Sequence, residues 1–433
     1  MRVQASHPFA SRHVVVIGFV VALLFGAKIL GQTASQASPP IARGARWLQD
    51  LDYFANQFPQ DEKDFQKLYP KQKFESQLAA IRQSVPKATD AELTLDLMRL
   101  VASAHVAHTA ANPPDGDIIH FLPLYMLWYS DGLAILGSVD AYKDTIGTRV
   151  VRIGSMTPEQ LETAVAPYIS YEMDAGLRVR SQRFMAMAEL LQHLGLAEAD
   201  GSVEFRLARP DGTEFTEKIS PMSDFHAARG INMYVALHIP VPLSRKQPRT
   251  KYWYEYLSDS QTLYIQYNEC DNDPKLPFAD FTKAMFDYAD AHPIQRVIVD
   301  LRFNGGGSDL VIKPLVEGLH ARGALSSRGH LYTLIGPGTF SSGLEAAGDF
   351  RRELKAILVG EPLAEKLNTY GEIKVLTLPN SRMTVTYATK FFKFGKWNDG
   401  LTLAPDIFVP QSFADALAGR DPVLEAALKH PLK

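Results

Sequence analysis

VIVDLRFNGGGS, residues 297–308, is the stretch that decides the fold of this chain. It opens as an apolar run rich in β-branched residues, which is typical of a strand buried on both faces. It closes on three glycines, where the backbone can turn sharply and present N–H groups to a ligand. Residues 310–319 follow with a helical pattern. The order of strand, glycine turn and helix predicts an α/β protein, in which such a turn is a place where functional sites are built. The alternative is that these glycines only allow close packing of helix against strand.

A second strand–turn–helix unit follows along the chain. Residues 331–335 (LYTLI) predict a strand, residues 336–338 (GPG) a turn, and residues 339–347 (TFSSGLEAA) the start of a helix. A serine at a helix N-terminus lies beside free backbone N–H groups and the positive end of the helix dipole. One unit can therefore supply backbone donors and the other a nucleophile.

The C-terminal part of the chain, residues 252–433, alternates between strand and helix patterns. The apolar run predicts a strand at residues 296–301. Further strands are predicted at residues 262–267, 356–360 and 374–378, and further helices at residues 278–291 and 344–354. This alternation predicts a mostly parallel sheet with right-handed crossovers.

Two regions precede this domain. Residues 42–115 are helical in pattern, and Thr89 and Glu92 predict a capping box. Residues 116–222 are β-rich, and their order of strand, glycine turn, short helix and hairpin is similar to a PDZ domain. Residues 169–196 add a helical insertion that a plain PDZ module would lack. A generic β-rich accessory domain is the alternative.

The first 37 residues have the pattern of an export signal. Arg2 and Arg12 precede an apolar run at residues 14–27, and small polar residues follow. The run is shorter than the ~20 residues that a spanning helix needs. We therefore expect a periplasmic or secreted protein, with an N-terminal anchor through residues 14–27 as the alternative.

Composition and motifs limit the partners, metals and cofactors that are expected of this chain. The formal net charge is −3, so nothing indicates a nucleic-acid partner. Cys270 is the single cysteine, which excludes an intrachain disulfide and a cysteine-based metal site. The chain has no dinucleotide fingerprint, phosphate loop or His-Glu-x-x-His motif. We expect no cofactor and no metal, although a metal at His105 and His108 is an alternative.

Four segments in order resemble the C-terminal processing peptidases, also called tail-specific proteases. They are residues 297–307, 339–347, 358–362 (LVGEP) and 404–409 (APDIFV). The resemblance implies a crotonase-like (ClpP/crotonase) core and a serine nucleophile at Ser342. It also implies backbone donors at Gly306 and Gly343, while Ser341 is the expected helix cap.

The general base has two candidates. Lys366 lies close to the lysine position of the family, but its flanking glycines are missing and its stretch is polar. His108 matches the histidine of a tricorn-like branch, although the preceding Asp-Gly is absent. Imidazole is a suitable base near neutral pH without pKa adjustment, so His108 is favoured. Glu372 and Asp399 are candidates for the orienting third residue.

The resemblance implies an exported serine endopeptidase that cleaves unstructured or C-terminal polypeptide segments through an acyl-enzyme. A peptidase with a Ser342–Lys366 dyad is one alternative. A non-catalytic binding module on the same fold, like the retinoid-binding repeats that resemble this family, is another. An acyl-CoA enzyme of the crotonase type is disfavoured, because export would separate it from its cytosolic cofactor.

Overall fold

Residues 296–300 form the central strand of a parallel sheet, as the apolar run predicts. The structure is a computed structural model that describes residues 42–114, 118–222, 230–394 and 402–432. The proposed signal at residues 1–37 lies outside these residues. From Ala42 onward the described chain is one compact unit.

Four helices open the described chain, in agreement with the helical pattern. They are α1 (Arg43–Asp61), α2 (Phe65–Leu68), α3 (Lys71–Ser84) and α4 (Asp90–Ala102). Helix α4 begins with the predicted capping box: Thr89 accepts from Glu92 N, and the Glu92 carboxylate accepts from Thr89 N. The buried face of α1 includes Phe54 and Phe58, which stack on each other.

The next region is β-rich and carries the predicted helical insertion. Its elements are β1 (Ala110–Asn112), β2 (Leu124–Tyr129), β3 (Gly132–Ser138), β4 (Arg149–Ile153), α5 (Pro158–Val165), α6 (Asp174–Phe184), α7 (Ala188–His193), β5 (Val203–Ala208), β6 (Glu214–Ile219), β7 (Ile231–Asn232) and α8 (Met233–Ala236). Strands β2 to β6 form one antiparallel sheet in chain order, and β7 pairs with β3. Helices α5 to α7 connect β4 to β5.

The remaining elements include the predicted α/β core. They are β8 (Tyr252–Leu257), β9 (Thr262–Tyr267), α9 (Phe278–Asp290), β10 (Arg296–Asp300), α10 (Lys313–His320), β11 (Leu331–Ile335), α11 (Ser342–Glu353), β12 (Ile357–Gly360), β13 (Asn368–Thr377), β14 (Thr384–Lys393), β15 (Ile407–Phe408), α12 (Phe413–Leu417) and α13 (Pro422–Lys429).

The core sheet has six strands in the order β15-β12-β11-β10-β9-β8. All neighbouring pairs are parallel except β8 with β9, which is antiparallel. Helices α9, α10 and α11 connect the parallel strands, as expected of crossovers. The mixed α/β class is therefore confirmed. The carboxyl ends of β10 and β11 lie side by side, which brings the glycine turn and the Ser341–Ser342 pair to one edge of the sheet.

The sequence-based placement of residues 374–378 in the core sheet is wrong. Residues 374–377 belong to β13, which pairs with β14 as a long antiparallel hairpin, and β1 pairs with the other edge of β14. The buried carboxylate of Asp50 on α1 accepts from the backbone N–H groups of Asn380 and Ser381 at the hairpin turn. The hairpin is thus held by the N-terminal helices, and that contact joins residues distant in sequence.

The Asp300-Leu301-Arg302 segment supports the glycine turn. The Arg302 guanidinium is buried between Asp300 and Asp421, with nitrogen–oxygen distances of 2.6 and 2.7 Å. Burial by itself raises the pKa of Asp421, but Arg302 outweighs this and lowers that pKa to about 2. A buried charged pair of this kind is costly to break. The most specific motif of the sequence therefore has a structural role next to the site.

Within the described ranges, no helix is both long and apolar enough to cross a membrane.

Candidate active site

Ser341 and Ser342 lie where β11 leads into α11. Ser342 is the first residue of the helix, and Ser341 precedes it with φ 55° and ψ −126°. A non-glycine residue rarely adopts a positive φ, which costs on the order of 1–3 kcal/mol. Such strain is characteristic of functional turns, including the turn that presents a nucleophilic serine.

The two serines have different surroundings. Ser342 is buried, and its Oγ donates to the carbonyl oxygen of Gly307 at 2.8 Å. Ser341 is partly exposed, and its hydroxyl has no hydrogen-bond partner among the described residues. The Ser341 side chain packs against the glycine turn: a Cβ at position 306 would lie 2.6 Å from Ser341 Cβ and 3.2 Å from its Oγ. This contact, together with φ of +102°, explains why Gly306 is a glycine.

The glycine N–H groups proposed from the sequence as oxyanion donors are already engaged. Gly306 N donates to Asn304 Oδ1, and Gly343 N donates to the carbonyl oxygen of Phe340, both at 2.9 Å. The choice of Gly306 and Gly343 therefore does not fit this geometry. In the described chain, the N–H groups of Ser342 and Gly307 have no acceptor.

His108 reaches the site from the segment between α4 and β1. The imidazole is buried, and its ring stacks on Phe340 with the ring centroids 4.5 Å apart. Its Nδ1 lies 3.2 Å from Oε1 of Glu365. The alignment of the two groups falls outside hydrogen-bond geometry, so this is a close polar contact. His108 Nε2 also has no partner in the described part of the chain.

Glu365 is the site residue that sequence reasoning missed. Its side chain is fully buried, and its Oε2 accepts from the backbone N–H of Ser341 at 2.7 Å. One carboxyl group therefore contacts the histidine with one oxygen and the serine backbone with the other. The sequence places Glu365 beside Lys366 in a polar stretch that favours an exposed position. The apolar neighbours Leu363, Ala364 and Leu367, all buried, were the available signal that this stretch packs inside.

The other proposed residues lie at the margin of this cluster. The backbone N–H of Lys366 donates to Glu172 at 3.1 Å, and the Lys366 side chain does not line the cavity at the serines. Glu372 lies at the cavity rim, about half exposed, in an ion pair with Lys390 at 2.6 Å. Asp399 lies outside the described residues. His105 is exposed, with its ring edge-on to Tyr171, and does not join His108.

Burial shifts the pKa of both members of the histidine–glutamate pair toward the neutral forms. Burial, assisted by the positive charge of Arg180, lowers the pKa of His108 to about 4, against an opposing contribution from the Tyr370 backbone. Burial and the nearby Glu172 carboxyl raise the pKa of Glu365 to about 8. Perturbed pKa values of this kind concentrate at functional sites.

A cavity of about 440 Å³ opens over these groups. Its lining includes His108, Ser341, Ser342, Glu365, Gly305 and Gly307, and its outer wall includes Phe392 and Phe394. No group of three or more His, Cys, Asp or Glu side chains suited to a metal ion occurs among the described residues. The cavity combines an apolar wall with a few convergent polar groups, which is typical of a substrate site.

The fold of this chain, but not its sequence, matches known proteins. No protein-family model matches the sequence, and no curated protein matches it. Mature CPAF complexed with lactacystin is similar in structure, with 13% identity, a TM-score of 0.62, and coverage of 89% of this chain and 98% of that chain. A second structure of mature CPAF gives 13% identity and a TM-score of 0.61, with 89% and 97% covered. The photosystem II D1 C-terminal processing protease matches at 12% identity over 90% and 97% of the two chains. Its TM-score of 0.41 is too low to support an argument. The chain therefore shares its overall fold with mature CPAF.

Proposed function

We propose that this protein is a serine peptidase in which Ser341 is the nucleophile, His108 the general base and Glu365 the group that orients His108. One observation carries the proposal. The buried atoms His108 Nδ1, His108 Nε2 and Glu365 Oε1 all lack hydrogen bonds within the described chain, and they lie beside a strained serine in one cavity. Unsatisfied buried polar groups are costly, so a cluster of them indicates a site built for a reaction.

The choice of Ser341 over Ser342 rests on geometry. Ser342 is buried and its hydroxyl donates to Gly307 O, whereas the Ser341 hydroxyl is available at the cavity. Glu365 contacts Ser341 N directly and His108 Nδ1 at 3.2 Å. The order serine, histidine and carboxylate is the arrangement that activates a weak nucleophile.

The chemistry follows from these positions. Ser341 Oγ attacks the carbonyl carbon of the scissile peptide while its proton passes to His108 Nε2. The proton then moves to the leaving amine as the C–N bond breaks, which leaves an acyl-enzyme on Ser341. Water hydrolyses the ester with His108 again as base. Glu365 must be ionised to accept a hydrogen bond from Nδ1–H, because that bond holds the tautomer in which Nε2 is free to act as a base.

The oxyanion that forms during attack needs donors at the turn. Ser342 N lies at the start of α11, and Gly307 N belongs to the glycine turn; neither has an acceptor in the described ranges. The helix N-terminus adds a favourable partial positive charge. These two N–H groups replace Gly306 and Gly343 as the proposed oxyanion donors.

Unstructured or C-terminal polypeptide segments are the proposed substrates, and export is the proposed localisation. The cavity is open to solvent along β13, whose outer edge pairs with no other strand among the described residues. An extended chain can add to such an edge as a further strand and so reach the site. The charge and apolar pattern of residues 1–37 supports export. A crotonase-like core and a PDZ-like accessory domain are parts of the same proposal.

Labelling with a serine-directed phosphonate, followed by peptide mapping and fragmentation, tests this function. A single adduct on Ser341 that is absent from Ser341→Ala supports the proposal. An adduct on Ser342 contradicts the choice of nucleophile. Neither labelling nor hydrolysis of an unstructured protein by the wild type would leave the non-catalytic binding module as the better account.

A further inference from the structure

The helical insertion at residues 169–196 packs directly on the loop that carries Glu365. Gly176 on α6 faces this loop: a Cβ there would lie 2.7 Å from the carbonyl oxygen of Ala364. Backbone cannot move aside as a flexible side chain can. Gly176 therefore allows α6 to approach the loop closely, at the residue next to Glu365.

Glu172 lies just before α6 and connects the two halves of the candidate site. Its carboxyl group accepts from Ala107 N at 3.3 Å, from Lys366 N at 3.1 Å and from Thr369 Oγ1 at 2.9 Å. Ala107 precedes His108, and Lys366 follows Glu365. One side chain of the insertion is thus hydrogen-bonded to the neighbours of both members of the pair.

Arg180 on α6 is the third residue, after Gly176 and Glu172, that links the insertion to the candidate site. Its guanidinium lies over the ring of Phe340, 5.0 Å from the ring centroid, and Phe340 stacks on His108 from 4.5 Å. A cation over an aromatic face is attractive, and the stacked ring restrains the imidazole in turn.

We propose that the insertion is a positioning element for the His108–Glu365 pair, and that Glu172 and Arg180 are its positioning residues. Neither residue contacts the reacting atoms; Glu172 acts through the chain neighbours of His108 and Glu365, and Arg180 acts through the ring stacked on His108. The start of the insertion, Glu172 together with α6, therefore supports the proposed catalytic pair, whereas α7 has no contact with it in the described chain. This inference rests on the proposed peptidase function.

The charges around the pair make the role of Glu172 measurable. Two charged side chains act on Glu365: Glu172 raises the pKa of Glu365, and Arg180 lowers it. His108 Nδ1 lies 3.2 Å from Glu365 Oε1. His108 faces Arg180, which lowers its pKa. Removing the Glu172 charge should therefore lower the pKa of Glu365, whereas removing Arg180 should raise the pKa of His108.

The first test compares Glu172→Gln with Glu189→Gln. Glu189 lies on α7 in the same insertion and binds His120 N and Nδ1, but it does not touch the pair. We expect kcat for an unstructured substrate to fall ~10- to 100-fold in Glu172→Gln with KM nearly unchanged, since misplacement by about 1 Å can cost that much. The rising limb of the pH profile should move to lower pH, which a loss of folded protein would not produce. Glu189→Gln should match the wild type. Unchanged kcat and pH profile in Glu172→Gln would overturn the proposal.

The second test does not depend on hydrolysis. The His108 imidazole resonance, assigned by its loss in His108→Gln, is titrated by NMR in the wild type, Arg180→Met and Gly176→Ala. We expect a higher His108 pKa in Arg180→Met and a displaced resonance in Gly176→Ala. If the wild type proves inactive but these shifts occur, the peptidase proposal fails and the positioning role stands. If the resonance is unchanged in both variants, the positioning role fails.

Discussion

His108 Nδ1 lies 3.2 Å from Glu365 Oε1, although the two residues belong to opposite halves of the chain. The histidine comes from the end of the N-terminal helices, and the glutamate follows β12 of the core sheet. Ser341 N donates to the other oxygen of the same carboxyl group. The three residues meet only because the helical region, the insertion and the core pack into one unit.

Ser341→Ala should abolish hydrolysis, whereas Ser342→Ala should not. Loss of a nucleophile that acts as a unit with its base costs at least ~10³-fold in kcat. Ser342→Ala removes one hydrogen bond to Gly307 O and should cost about 1 kcal/mol of stability. Turnover of an unstructured protein measures the loss of kcat in each variant, and thermal unfolding measures the loss of stability. The reverse pattern would return the nucleophile to Ser342.

His108→Ala should lower kcat at least ~10²-fold, because a general base contributes 10²- to 10⁴-fold. Lys366→Ala should lower it less than ~10-fold, an effect under ~1.4 kcal/mol on the barrier. The reason is that the Lys366 side chain does not line the cavity. Single-turnover rates with the same substrate provide the comparison. An inactive Lys366→Ala beside an active His108→Ala would establish the serine–lysine dyad.

Activity should rise with pH until Glu365 ionises, near pH 8. Burial first, and then Glu172, raise the pKa of Glu365 to about 8. His108 is already neutral well below that, since burial lowers its pKa to about 4. The rising limb of the pH profile should therefore follow ionisation of the Glu365 carboxyl group and not of the His108 imidazole. A pH profile of kcat in wild type and Glu365→Gln checks this; Glu365→Gln should be weakly active and lack the limb. A limb that persists in Glu365→Gln would assign it to another group.

Glu62 should make the folded state less stable as pH rises. Burial raises its pKa from 4.5 to about 7, although the hydrogen bond from Thr109 Oγ1 opposes this. Between these pH values the folded chain holds a proton that the unfolded chain has lost, so folding weakens as that proton leaves. Relative to wild type, Glu62→Gln should gain up to ~3 kcal/mol between pH 4.5 and 7. Urea unfolding across this range, with exposed Glu75→Gln as control, measures the difference. A constant difference with pH would contradict it.

Asp421→Ala should destabilise the protein by ~3–5 kcal/mol, because it leaves the Arg302 charge buried with one partner removed. The glycine turn next to Arg302 should become less ordered, so activity should fall together with stability. Denaturant unfolding and kcat provide the two measurements. Exposed Asp287→Ala, which breaks only a helical surface pair with Lys283, is the matched control and should cost under ~0.5 kcal/mol. Equal losses in the two variants would refute a structural role for the buried pair.

Local sequence signals were sufficient for much of the fold. Strands β9 and β11 occupy the predicted residues, and β10 ends one residue short of the prediction. The Thr89–Glu92 capping box is confirmed. These features depend on residues a few positions apart, whose periodicity and hydrogen bonding are legible in the chain itself. For the same reason the glycine turn, the serine pair and His108 could be selected from motifs alone.

Tertiary structure decided the rest. Both serines line the cavity, and the backbone dihedral angles at the start of α11 and the bond from Ser342 Oγ to Gly307 O leave only the Ser341 hydroxyl without a partner among the described residues. Glu365 reads as a surface residue until folding buries it against His108 and raises its pKa. The hairpin of β13 and β14 lies outside the core sheet, and its turn is bound by Asp50, far earlier in the chain. Desolvation and long-range contacts arise only when distant segments pack together, and no local pattern encodes them.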